Sequence, residues 1–178
     1  MIFPFKKFLA ILVIIAITIP CISGSKKPSK TTESEPIPIT VLLQPTIESV
    51  YDSLHLDQKG LSKVAFDYAI NGYKELKQKG MLHNDSIITI VDFDQPSYNK
   101  RMYIFDVKNF KMLFNTWTAH GRNTGQETAK YFSNRPQSYQ SSLGFYLTDA
   151  SYNGKNGYSL KLIGLEKENS NALNRAIV

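Results

Sequence analysis

Cysteine is nearly missing from this sequence: Cys21 is the only one among 178 residues. Everything after it lacks a thiol, which excludes a disulfide, a cysteine metal ligand and a cysteine nucleophile from that stretch. Histidine is almost as scarce. His55, His83 and His120 are too dispersed for a metal motif, and neither HExxH nor paired Cys/His spacing occurs. No metal and no organic cofactor is therefore expected. The chain also lacks a GxSxG elbow and a glycine-rich phosphate loop, so hydrolase-elbow and nucleotide-binding readings fail. Its formal charge is +6, yet no five basic residues run together, and no nucleic-acid footprint is visible.

Long hydrophobic runs are absent too, with one short exception. Phe8 to Ile19 is a twelve-residue run, apolar apart from Thr18, preceded by Lys6-Lys7 and broken by Pro20. Spanning a bilayer takes about 20 apolar residues. The pattern instead predicts a secretory signal peptide over residues 1–24, with cleavage after Ser23 or Gly24 favoured. A short membrane anchor is the alternative. Cys21 is a candidate lipid-attachment site, although Thr18-Ile19-Pro20 before it departs from the small residues that lipoprotein processing prefers. Export to the periplasm or cell envelope follows, with membrane contact only through the signal peptide or a lipid on Cys21. Loss of Lys6 and Lys7 would leave a net charge of +4. Residues 25–45, rich in Ser, Thr, Pro and charge, predict a flexible linker.

The remainder, residues 46–178, has the apolar content of a folded domain, with hydrophobic residues at 42% overall and ten Tyr and ten Phe to fill a core. Apolar spacing at Ile47, Val50, Tyr51 and Leu54 predicts a first helix over Thr46–Leu56. A second begins at the N-cap Ser62, with Leu61 placed to staple onto Phe66 and Gly80 as its stop. Its predicted apolar stripe is Ala65, Tyr68, Ala69, Tyr73 and Leu76, a core face, and Lys74, Lys77 and Lys79 lie where the helix dipole favours cations.

After Asn84 the period becomes that of strands. Strands are expected at Ser86–Asp92, Met102–Val107 and Lys111–Thr118, with a tight turn at Lys108-Asn109. Leu143–Thr148 and Tyr158–Leu165 are expected to continue the same antiparallel meander, joined by the turn Asn153–Gly157. The fold class is thus mainly β (α+β), two helices leading into an antiparallel β domain. Between the strands, Thr124 to Ser142 is a long polar stretch. Such loops inside compact domains are functional or mobile.

His120-Gly121 ends a strand and enters that loop. It is a candidate for contacting substrate, together with Ser141 and Ser142 at the loop's far end. The favoured alternative is a structural histidine followed by a glycine needed for backbone freedom, because no nucleophile accompanies it. Asp92 and Asp106 read as strand-end residues rather than paired acid and base.

The run KRMYIFDVKNFKMLFNTWTAHGRNTG from Lys100 to Gly125, followed by SSLGFYLT from Ser141 to Thr148, resembles the murein L,D-transpeptidase catalytic-domain family, a YkuD-type branch. The helix from Leu61, the strand Asp85–Phe93, Tyr158-Ser159-Leu160 and Arg175–Val178 share the likeness, which covers roughly residues 60–178. The resemblance implies a β-rich fold, peptidoglycan stem peptides as partners, and a cysteine thiolate. That thiolate attacks the carbonyl before a terminal D-Ala, and an amine of a neighbouring stem resolves the thioester into a crosslink. A neighbouring histidine lowers the thiol pKa and backbone donors hold the oxyanion. In the family a His-Gly motif follows the segment matching Arg175–Val178, and Ser-x-Gly-Cys comes later. Neither occurs here, and His120-Gly121 matches an upstream strand end instead. The expectation is the front part of such a domain, its catalytic part missing, with no catalytic residue in this chain and no activity. A non-catalytic peptidoglycan-binding or structural envelope β domain is the alternative.

Overall fold

The computed structural model describes residues 46–154 and 157–175. The expected signal peptide, Cys21 and the linker lie outside these residues, as do residues 176–178. The described part is α+β, with two antiparallel sheets and few helices.

The first helix is much shorter than its apolar spacing predicts. Only Val50–Ser53 (α1) is helical, because a Schellman motif ends it at once. The His55 N–H donates to Asp52 O, the Leu56 N–H donates to Tyr51 O, and His55 takes the left-handed conformation at φ 49°. The second helix, Lys63–Gln78 (α2), follows the expected limits. The Ser62 hydroxyl accepts from the Ala65 N–H, and Gly80, at φ 66°, closes the helix with a second Schellman pair from Gly80 to Lys77 O and Met81 to Leu76 O. Its buried stripe is Phe66, Ala69, Ile70 and Tyr73. Tyr68 is corrected out of that stripe: it is 45% exposed and turned the other way, and Leu76 is only half-buried. Tyr68 stacks on Phe145 at 5.3 Å, and Phe145 lies so close to Gly72 that a Cβ there would stand 2.0 Å from the ring.

Strands β1 (Ile87–Val91), β2 (Met102–Asp106) and β3 (Lys111–Thr116) form one sheet in sequence order. Alternation puts Ile88, Ile90, Tyr103 and Phe105 on one face, and the register pairs Ile88 with Phe105 and Ile90 with Tyr103. This face meets α1 and α2, where Phe66 lies 5.3 Å from the Tyr51 ring and 6.2 Å edge-on to Phe105. Between β2 and β3 the register skips Leu113 as a bulge. The turn after β2 is held by Asp106, whose carboxylate accepts from Lys108 N, Asn109 N and Asn109 Nδ2.

The later strands do not continue this meander. Tyr146–Gly154 (β4) and Gly157–Gly164 (β5) form a separate two-stranded sheet, the hairpin closing between Gly154 and Gly157. Neither strand has a buried residue, so it does not extend the alternating core face of the first sheet. Arg175 ends a 3-10 turn, Leu173–Arg175. Among the described residues no helix is long and apolar enough to cross a membrane.

Candidate functional site

The polar stretch after β3 is built around two arginines. Arg101, immediately before β2, is fully buried beneath it. Its guanidinium donates to Gln95 O at 2.9 Å, to Thr118 O at 3.0 and 3.2 Å, and to His120 Nδ1 at 2.8 Å, with its face over Phe93 at 4.8 Å. Burial lowers the pKa of Arg101, while the charge of Asp92 acts to raise it. Asp92 itself is buried and accepts from Ser62 N, Asp94 N and Gln95 Nε2.

An arginine cannot accept a hydrogen bond. His120 Nδ1 is therefore the acceptor, and Nε2–H donates to Gly125 O at 3.1 Å. Both ring nitrogens are engaged inside the fold, tying the end of the first sheet to the loop. Gly121 follows for a reason other than backbone freedom. A Cβ there would lie 2.4 Å from Tyr139 O, so only glycine allows the two loop segments to close together. Gly121 N donates to Ser141 Oγ at 3.0 Å, and Ser141 N donates to the buried Thr124 Oγ1 at 2.7 Å.

Ser142 faces elsewhere. Its hydroxyl is buried against Tyr146 Oη at 2.8 Å and accepts from Arg175 at 3.2 Å. The Tyr146 pKa is raised, chiefly by burial. Arg175 also donates to Ser133 O, Ser138 Oγ and Gln140 O. Beside it, Asn169 is fully buried and donates to Phe145 O, while its Oδ1 accepts from Glu166 N. Burial raises the Glu166 pKa, and the charge of Glu168 adds to that. Of the four residues singled out from sequence, the structure brings Gly121 and Ser141 into contact and sets His120 beside them. Ser142 belongs to the Arg175 cluster.

The loop thus has a fixed shape at some cost. Arg135-Pro136-Gln137-Ser138 has the pattern of a type II turn, with Gln137 at φ 57° where glycine is usual and Ser138 N bonded to Arg135 O. Tyr139 is also left-handed, at φ 56°, a conformation that costs a bulky residue on the order of 1–3 kcal/mol. Asn123 holds it: Asn123 N donates to Tyr139 O and Asn123 Nδ2 to Ser138 O. The Arg122 guanidinium carbon lies over the Tyr139 ring, 3.7 Å from its centroid. Next to this pair opens a groove of about 510 Å³, lined by Arg122, Gln126, Glu127, Lys130 and Tyr131 among others. Sequence reasoning passed over the two arginine anchors and this groove. The signal for the groove was Arg122, Glu127, Lys130 and Tyr131 falling within ten residues of chain.

No group of three or more His, Cys, Asp or Glu among the described residues is arranged to hold a metal ion. The described molecule is an α+β domain that spends its buried polar groups on fixing one long surface loop and a groove beside it. The chain belongs to the L,D-transpeptidase catalytic domain family (YkuD_2), whose model matches residues 57–178, and it is accordingly a peptidoglycan-related protein. Comparison with curated proteins and with solved structures found no match.

Proposed function

We propose that this chain comes from an exported cell-envelope protein that engages the stem peptides of peptidoglycan through an L,D-transpeptidase-type domain, and that residues 57–178 do not by themselves carry out acyl transfer. One observation carries the second half of the reading: residues 57–178 match the family yet contain no cysteine. A thiol attacks a carbonyl as its thiolate, and neither a buried serine hydroxyl nor a histidine with both nitrogens occupied replaces it. Ser142 and His120 are in those two situations. Within this reading His120, Gly121, Ser141 and Ser142 frame the loop that presents the substrate-facing surface. Cys21 lies before the domain and serves export or lipid attachment.

The test sediments the purified full chain with isolated cell-wall sacculi and follows D-Ala release from a tetrapeptide stem in the same sample. Co-sedimentation without release supports the proposal. A well-folded chain that stays in the supernatant would favour a purely structural envelope role.

A further inference from the structure

His120 joins the long loop to the fold beneath it through a ring that can do so only uncharged. Arg101 keeps its protons and offers no lone pair, so its 2.8 Å bond to His120 requires a bare Nδ1. Nε2 then carries the ring's one hydrogen and gives it to Gly125 O at 3.1 Å. Arg101 is fully buried and held by Gln95 O and Thr118 O, with its face over Phe93, so the guanidinium is fixed beside the ring.

A second proton on the ring ends this arrangement. It removes the Nδ1 acceptor and sets an imidazolium 2.8 Å from a buried guanidinium, where little water screens the two charges. Among the described residues His120 has no ion pair to offset the new charge. From the segment after β1, Asp92 is the carboxylate whose charge reaches Arg101, and its oxygens are engaged by Ser62 N, Asp94 N and Gln95 Nε2. Asp94 stands next to Asp92 and feels its charge. The Phe93 ring, 6.1 Å away and edge-on to the imidazole, supplies none. Along the loop the neighbouring charges are Arg122, Glu127 and Lys130, of which two are cations. Protonation leaves the Nε2–H bond to Gly125 in place, together with the bonds from Asn123 N to Tyr139 O and from Ser141 N to Thr124 Oγ1. What parts is the loop from the buried arginine.

We propose that His120 and Arg101 form a pH-sensitive latch, in which the neutral ring fastens the loop of residues 120–142 to the buried arginine and protonation releases it. The latch is closed while the ring is neutral and opens as falling pH protonates it. It stands independently of what the loop binds.

The experiment follows the isotope-labelled full chain by NMR from about pH 8 to about pH 5, the span over which imidazoles change charge. Ring nitrogen shifts should show His120 as the Nε2–H tautomer at the alkaline end. As the ring takes its second proton, hydrogen-exchange protection factors of the Asn123, Thr124, Lys130 and Tyr131 amides should fall about tenfold, the scale of one lost charge-assisted bond. Protection over Lys63–Gln78 should hold. His55 and His83 are exposed and give reference titrations in the same spectra. His120→Gln, whose amide accepts and donates but takes up no proton, should abolish the fall. Burial also raises the Glu166 pKa, but that carboxylate bonds Phe145 N, so its titration acts there and persists in the variant. If His120→Gln fails to fold, the tautomer and the coincidence of ring and loop titrations in the unaltered chain decide the matter. An Nδ1–H tautomer, loop protection constant down to about pH 5, or a fall retained in folded His120→Gln would each overturn the latch.

Discussion

The layer of α1, α2 and the first sheet and the region from Gly121 to Arg175 are stabilised by different physics. Among the described residues, thirteen buried residues form the core cluster of the first, including Phe66, Ile70, Ile90, Tyr103 and Phe105, whereas the cluster beneath the second buries Leu143 and, from the segment after β1, Phe93. What the later region lacks in apolar burial it replaces with side-chain donors aimed at its carbonyls: Asn134, Asn169 and Arg175 from within it and His120 from just before it. Apolar packing is non-directional and tolerates modest shape changes, while a hydrogen-bonded loop loses its shape when one donor is removed. The contrast teaches that the shape of the long surface loop is set by a few polar anchors standing on a conventional core.

The harshest challenge to this contrast is in the first region. Phe66→Ala removes a fully buried ring in contact with Tyr51 and Phe105, and chemical denaturation should show a loss of about 3–5 kcal/mol. A loss under 1 kcal/mol would mean that the core lies elsewhere. Arg175→Ala comes next, at about 2 kcal/mol from its charge-assisted bonds. Its effect should be local: hydrogen exchange rises over residues 133–142 and stays unchanged over Lys63–Gln78. Uniform acceleration across both regions would erase the distinction between them.

Smaller effects sharpen it. His55→Gly replaces a left-handed histidine at the end of α1 and should raise the melting temperature, by up to about 1 kcal/mol of stability. Asp85 sits between Lys77 at 2.9 Å and Lys108 at 2.8 Å, whose hydrogen bonds hold its carboxyl at about 2, below the ordinary 3.8. Because the folded value is the lower one, its contribution is present above the unfolded pKa and disappears as pH falls toward about 2. Asp85→Asn should flatten that part of an acid denaturation profile and leave stability near neutral pH almost unaltered, as expected of exposed pairs.

The same contrast explains what was legible in the sequence. Periodicity placed α2, its Ser62 cap, its Gly80 stop and the first three strands, because burial of one face imposes a repeat. It overextended α1, since the Schellman motif at His55 uses a residue without the usual glycine signature, and it assigned Tyr68 to the core stripe when Phe145 claims that ring from the other side. The second sheet was read as a continuation because strand character does not reveal a strand's partner. The loop was legible only as polar. Its anchors Arg101, Thr124, Asn169 and Arg175 have no repeat: three donate to carbonyls and Thr124 accepts from the Ser141 N–H, all with partners far along the chain that no local window contains.

The most direct measurement is D-Ala release from a peptidoglycan tetrapeptide by the purified full chain, with sacculus binding measured on the same preparation. The proposed account predicts binding with release no faster than in buffer alone. Release that depends on this protein would show that an attacking group exists where no thiol follows Cys21, and would contradict it.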